Sequence, residues 1–353
     1  MALTLLTVFC LSAFVFAQGN DEKVTPRFVV MPKALDPNIP TPAVTLEEWS
    51  GSFTYNSHNY TYVMVGADPS TNQGALITTF VIPVKIVLST GEVFDPILGG
   101  PFSPLAETIT SPIFDKSTDY CQGPSGSCVD LGHTQYIDAF QRGNFWSIVQ
   151  NNPNSHLLLG GPTSGITILP ELTLNVPAGS GHLGHPFNGH AAAEVDINYF
   201  DNQISAYMTQ HNQITPATFP IFETTDTYLT SGGCCIGGYH SNNGAQTYAH
   251  FTYIDHPGDF SQDVSALSHE VGEWADDPLY PAQNNTPCGV LEVGDPLEAT
   301  NNYGSYHYTL HNFTYNLQDL TFIGYFGAPL NTSVNSWYTF QNYPFTRICQ
   351  NGS

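Results

Sequence analysis

A helix with a clear C-terminal end is predicted by residues 268–278, Ser-His-Glu-Val-Gly-Glu-Trp-Ala-Asp-Asp-Pro. His269 and Glu273 are four residues apart, so on a helix their side chains project from one face. Pro278 ends the pattern, because it lacks an N–H and its ring clashes with the preceding turn of a helix. The spacing predicts a helix over about residues 263–277, with Ser261 or Asp263 as its cap. Its apolar stripe consists of Val264, Leu267, Val271 and Trp274.

The same helix carries a possible metal-binding motif, His-Glu-x-x-Glu. In helices with His-Glu-x-x-His, the two histidines hold zinc and the glutamate between them acts as general base. A carboxylate binds zinc at nearly the same distance as an imidazole. We therefore predict His269 and Glu273 as zinc ligands and Glu270 as the catalytic base. The alternative is an ordinary amphipathic helix with His269 in the core and its carboxylates in solvent.

A catalytic zinc needs a third protein ligand, and the segment Leu-Glu-Val-Gly-Asp at 291–295 offers one. Glu292 is our first choice. Asp295 is expected to accept a hydrogen bond that fixes His269, or to serve as an alternative ligand. Both acids could instead be turn residues. Asp276 and Asp277 are rival ligands, although we favour them as turn formers at the helix end.

The remaining histidines are weaker candidates. His182, His185 and His190 lie in a Gly-rich stretch, 179–190, which we interpret as a solvated loop; a second metal site is the alternative. His240 follows the adjacent cysteines Cys234 and Cys235, and we expect it to pack beside a disulfide.

The charge balance excludes some partners. The chain has 30 acidic and only seven basic residues, a net charge of −23. Nucleic acid and anionic membrane surfaces are therefore not expected partners, because binding phosphates requires a basic face. Charged residues make up only 10% of the chain, whereas Gly, Pro, Tyr and Thr are frequent, and this favours strands and turns. We predict an α+β fold, rich in β-structure, with the metal-binding helix next to a mixed sheet.

The first 17 residues predict export. An apolar stretch, 3–16, precedes Ala17 and is typical of a secretory signal peptide, so we expect a secreted protein. Five Asn-x-Ser/Thr sequons would be glycosylation acceptors in a eukaryotic host. Six cysteines follow the signal, and an even number in an exported chain favours disulfides over zinc ligation. Cys121 and Cys128 are expected to close a small loop; the other four are Cys234, Cys235, Cys288 and Cys349.

Two regions follow the signal. Residues 18–110 combine a Pro-rich, irregular leader with a β-rich part, and they form either a propeptide or a packed β domain. Within them, 76–88 has the pattern of a buried strand broken at Pro83. Residues 111–353 form the predicted zincin-like domain. It contains a helix at 134–149 and a strand at 246–255 just before the key helix.

The stretch from Tyr228-Leu-Thr-Ser-Gly-Gly-Cys-Cys-Ile-Gly-Gly-Tyr-His through the key helix distantly resembles phosphate-induced, exordium-like plant wall proteins. A closer resemblance is to uncharacterised secreted bacterial proteins that have an HExxE helix and a downstream Glu-x-Gly-Asp. That resemblance extends from the turn at Val65 to the C-terminus and implies a zincin-like protein. The sequence departs from HExxH because Glu273 replaces the second histidine. A site of one histidine and two glutamates is more anionic than one of two histidines and one glutamate.

These observations predict a secreted zinc-dependent hydrolase of the metallopeptidase type, acting on a peptide or protein substrate. The alternative is a non-catalytic extracellular or wall-associated binding protein with the same fold. Converging ligands in an open cleft would favour the enzyme, and a filled site would favour the binding protein. The sequence gives no indication of the oligomeric state.

Overall fold

The computed structural model describes residues 24–31, 45–55, 57–122, 129–161, 165–279, 291–298, 301–322 and 324. The strands are β1 Arg27–Met31, β2 Glu48–Tyr55, β3 His58–Val65, β4 Ala75–Leu88, β5 Val93–Phe94, β6 Asp119–Gln122, β7 Val129–His133, β8 Leu157–Gly160, β9 Thr167–Ile168, β10 Leu172–Val176, β11 Gly181–Gly184, β12 Ala192–Asp196, β13 Thr218–Thr225, β14 Thr227–Thr230, β15 Cys234–Asn243, β16 Gln246–Tyr253, β17 Ser305–Leu310 and β18 Phe313–Gln318. The α-helices are α1 Pro104–Ile109, α2 Tyr136–Asn144, α3 Trp146–Val149, α4 Ile197–Gln210, α5 Ser265–Asp276 and α6 Asp295–Glu298.

One curled mixed sheet dominates the fold. Its main path runs β10-β4-β13-β16-β15-β14-β12-β11, and β5, β8 and β9 pair with β4. Strand β15 is antiparallel to both β16 and β14, whereas β1 pairs with β15 in parallel. The predicted α+β, β-rich class is confirmed. No helix in the described ranges is both long enough and apolar enough to cross a membrane.

Helix α5 lies against β15 and β16 and is covered on its other sides by β18, β3 and α2. Trp274 stacks on Phe219 with ring centroids 3.6 Å apart, and its Nε1 donates to Thr247 Oγ1. A Cβ on Gly238 of β15 would lie 2.9 Å from Glu270 Oε1. The glycine therefore allows the helix to approach the strand closely, and every residue of α5 is buried.

The helix ends at Asp276 as the proline predicts, but its start differs from the prediction. Neither Ser261 nor Asp263 caps α5, which begins after Val264 without a side-chain cap. Asp263 has a left-handed backbone, with φ 44°, and its carboxylate accepts hydrogen bonds from the backbone N–H and side-chain amide of Asn316. It therefore joins the start of the helix to β18.

Three local predictions also differ from the structure. Strand β4 continues through Pro83, which falls between the residues paired with β9 and those paired with β10, so a missing N–H is tolerated there. The helix predicted at 134–149 is interrupted at Phe145 and forms α2 and α3. The predicted loop 179–190 contains the short strand β11, which pairs with β12.

The N-terminal region is built into the main sheet. Strand β1 lies within the stretch predicted to be an irregular leader, and β4 pairs with β13. The predicted boundary at residue 110 therefore does not separate two sheets, because β1 and β4 hydrogen-bond to strands of the C-terminal region. Whether residues 18–110 are removed as a propeptide stays a prediction.

Candidate metal centre

Five acidic and imidazole side chains meet where α5 faces β15. Helix α5 contributes His269, Glu270 and Glu273, which are all 0% exposed. His240 belongs to β15 and is 2% exposed. Glu292 belongs to the segment before α6 and is 6% exposed. Ionisable groups are rarely buried this deeply unless they are paired or bind a metal. The cluster therefore needs a chemical explanation.

The contact between His269 and Glu273 brings two electron-pair donors together. His269 Nε2 lies 2.9 Å from Glu273 Oε1, and with the imidazole proton on Nδ1 the two can hydrogen-bond only when Glu273 is protonated. Glu270 Oε1, Glu273 Oε2 and Glu292 Oε1 are buried without a hydrogen-bond partner. A buried polar atom without a partner costs about 1–3 kcal/mol, and more when it is charged. A cation bound beside Glu273 would satisfy the donor atoms that converge on it.

Gln318 fixes the tautomer of His269. The Nδ1–H of His269 donates to Gln318 Oε1 at 2.6 Å, which leaves the lone pair on Nε2. Gln318 is itself held, because its Nε2 donates to Gly294 O and its backbone N–H to Ser268 Oγ. This support keeps Nε2, the predicted ligand nitrogen, pointing at Glu273.

Asp295 does not fill its predicted orienting role. Its Oδ1 lies 3.7 Å from His269 Nε2, the predicted ligand nitrogen, and not beside Nδ1, and its side chain is 43% exposed. Gln318 takes the orienting position because β18 lies along the helix. The position of Asp295 is consistent only with the second predicted role, that of an alternative ligand.

Glu292 reaches the helix, as the metal hypothesis requires. One of its carboxylate oxygens lies within 4.8 Å of ligand atoms of Glu273 and His240. Its segment is anchored on both sides, because the N–H of Leu291 donates to Asp277 Oδ2 and the N–H of Gly294 donates to Glu273 Oε1. Asp277 thus holds the segment, in keeping with a structural role at the helix end.

Glu273 belongs to two groups of three residues. Within each group, the ligand atoms lie within 4.8 Å of one another. One is His269, Glu270 and Glu273, and the other is His240, Glu273 and Glu292. The predicted set His269, Glu273 and Glu292 is not itself such a group among the described residues. Glu273 connects its other two members.

His240 is a site residue that the sequence did not identify. Its Nδ1 lies 3.2 Å from Glu270 Oε2 and 3.7 Å from Glu273 Oε2. Cys234 and Cys235 do form a disulfide, and the expectation that His240 packs beside it stays a prediction. The predicted Cys121–Cys128 loop, Cys288 and Cys349 lie outside what the structure describes for these side chains.

The electrostatics of the cluster follow from burial and from like charges. Burial raises the pKa of Glu270, Glu273 and Glu292 well above the usual range, and neighbouring carboxylates raise each further. Burial also lowers the pKa of His269, and that of His240 to about 3. The imidazoles are thus neutral, the form that ligates metals.

The three histidines of the Gly-rich stretch, for which a second metal site was the alternative, do not form a metal group among the described residues. His182 Nε2 lies 3.6 Å from Glu194 Oε2, and His190 Nδ1 lies 2.7 Å from Asp259 Oδ2. His185 Nδ1 contacts the carbonyl of Gly189. Each histidine therefore has a separate partner.

The side of the centre nearest β1 is closed. The ring of Phe28 lies against that of His269, with centroids 4.1 Å apart, and also contacts Phe260. The backbone N–H of Phe28 donates to Glu298 Oε1 at 2.6 Å. A substrate could not reach His269 past Phe28 in this conformation.

Replacing Gly294 with alanine should disturb the centre directly. A Cβ there would lie 2.4 Å from His269 Nδ1, so the ring must move away from Gln318. We expect zinc affinity to fall about 10- to 100-fold, as when the support of a ligand is lost, measured by competition with a chromophoric chelator. Gly179→Ala is the control, since its Cβ meets nothing within 4 Å; equal affinity in both variants would contradict this geometry.

No protein-family model, curated protein or solved structure matches this chain. The resemblance to secreted bacterial zincin-like proteins and to exordium-like wall proteins therefore stays a prediction.

Proposed function

We propose that this chain is a zinc-dependent hydrolase of the metallopeptidase type. The observation that carries the proposal is the position of Glu273, whose carboxylate converges with His269 and Glu270 in one group of ligand atoms and with His240 and Glu292 in another. The cluster is buried, and several of its donor atoms lack partners. His269, Glu273 and Glu292 are the proposed ligands. Two carboxylates and a neutral imidazole are ligands that zinc accepts. Asp295 is the alternative ligand.

The roles of the residues follow from their positions. Zinc, when bound, supplies a Lewis acid that polarises a carbonyl and activates water. Glu270 follows His269 directly and has an oxygen without a partner, so it would take the proton from the attacking water. His240, whose Nδ1 is nearer to Glu270 than to Glu273, would position Glu270.

The alternative is a non-catalytic extracellular or wall-associated binding protein with a structural ion. Two observations favour it. His240 could act as a fourth protein ligand, and four protein ligands are typical of structural zinc sites. In addition, Phe28 covers His269 in the conformation described.

Secretion and a peptide or protein substrate belong to the same proposal. They rest on the signal-like residues 1–17 and on the type of motif. The net charge of −23 still argues against nucleic acid and anionic membranes as partners.

The test is metal-dependent peptide hydrolysis by the full-length chain. Zinc-loaded protein is incubated with a mixture of unstructured peptides, and the products are identified by mass spectrometry. We expect cleavage that a chelator abolishes and added zinc restores. If zinc binds but every peptide stays intact, both with the wild-type chain and with Phe28→Asp, which uncovers His269, the binding-protein alternative holds.

A further inference from the structure

Strand β1 occupies an edge that would otherwise be open beside the metal centre. Along its other edge, β15 pairs with β16 from Gly238 to Asn243 and with β14 at Ile236 and Cys234. On this edge, the stretch from Ile236 to Ser241 pairs with β1. Without β1, this stretch would present unpaired N–H and C=O groups next to α5, and such an edge is a template for another extended chain.

The contacts that hold β1 are mostly made by its backbone. Before the strand, the N–H of Thr25 donates to the carbonyl of Cys234, and the N–H of Cys235 donates to the carbonyl of Thr25. At its last residue, Ser241 Oγ donates to the carbonyl of Met31 at 2.6 Å. On the side away from β15, Glu298 accepts the N–H of Phe28. Backbone contacts of this kind bind many sequences, since they do not depend on side chains.

Two side chains of β1 add specificity. Phe28 is the one buried residue of the strand, at 5% exposure, and it inserts between His269 and Phe260. Its partner across the ladder is Gly238, which has no side chain to compete for the space. Arg27 Nη2 donates to the carbonyl of Ser231 at 2.9 Å. A basic residue followed by an aromatic one therefore fits this edge.

We propose that this edge of β15 is a binding site for extended peptides that carry a basic residue followed by a large aromatic residue, and that Arg27–Met31 is its exchangeable internal occupant. The inference rests on the proposed function in one respect, because it makes such peptides the substrate class of the metal centre. The internal strand holds the centre closed, and a peptide gains access to His269 by replacing it.

The test is peptide binding without metal, so its outcome does not depend on catalysis. A fluorescent peptide Val-Thr-Pro-Arg-Phe-Val-Val-Met, the sequence of residues 24–31, is titrated with the full chain in the presence of a chelator. In the wild-type chain β1 competes for the edge. In Phe28→Asp a charged residue replaces the buried ring and releases the strand. We expect Phe28→Asp to bind the peptide at least about tenfold more tightly than wild type, because the competition is removed.

The control variant is Val24→Asp, whose position is 41% exposed and precedes the strand, and it should bind like wild type. The same peptide with Asp in place of Phe should not bind. If Phe28→Asp does not fold, Phe28→Ala takes its place with the same criterion. Equal binding by a folded variant and wild type overturns the proposal, and so does failure of both variants to fold, since β1 would then be a permanent strand. Peptide binding without any hydrolysis in zinc would keep this site and refute the hydrolase.

Discussion

Zinc should stabilise the wild-type chain strongly and leave Glu273→Gln unaffected. Glu273 belongs to both groups of converging ligand atoms, so replacing its carboxylate weakens either arrangement. A ligand that binds only the folded state stabilises it by about 4 kcal/mol when its free concentration is about a thousandfold above the dissociation constant. Thermal unfolding with and without zinc measures the effect as a rise in Tm.

Without metal, the same variant should be at least as stable as the wild-type chain. Glu273 is buried near Glu270 and Glu292. Replacing its acid with an amide relieves like-charge repulsion and the cost of desolvating a carboxylate. The exposed Glu47→Gln is the control and should respond to zinc like wild type. A zinc-induced rise in Tm that is equal in Glu273→Gln and wild type would place the ion elsewhere.

Glu270→Gln should lose hydrolysis while it keeps zinc. The amide preserves the shape of the side chain but cannot take a proton, and a positioned general base contributes about 10²- to 10⁴-fold to the rate. Glu270 is 0% exposed and packs so closely on Gly238 that a Cβ there would touch it. Glutamine is the suitable replacement because it has the same size and shape. The measurement is kcat/KM on a peptide that the wild-type chain cleaves, together with zinc content.

This variant also separates the two groups of ligands. In the group of His240, Glu273 and Glu292, Glu270 is free to act as base, and zinc is retained. In the group of His269, Glu270 and Glu273, Glu270 is itself a ligand, and zinc is lost with activity. Undiminished activity of Glu270→Gln would contradict the role of Glu270 in either case.

Helix α5 was predictable because the residues that determine it lie close together in the sequence. Spacing places His269 and Glu273 on one face, and the proline limits the helix, so α5 agrees with the prediction to within two residues at each end. The approach of Glu292 was also anticipated, because a short segment after the helix can return to it.

The partners that come from distant strands were not predictable. His240 lies on β15 and Gln318 on β18, and nothing near either residue in the sequence indicates which helix it faces. Strand β1 was interpreted as an irregular leader, because parallel pairing with β15 is a long-range contact without a local pattern. The predicted N-cap of α5 was wrong because the carboxylate of Asp263 accepts a hydrogen bond from Asn316 of β18 instead.

The most direct test of the metal centre is the zinc content of the purified chain after dialysis against a slight excess of zinc. Elemental analysis should find about one zinc per chain in wild type and in Glu47→Gln, and none above background in Glu273→Gln. Wild-type protein without zinc, or the same zinc content in Glu273→Gln, would contradict the account. His269 and its carboxylate neighbours would then be the buried face of a core helix.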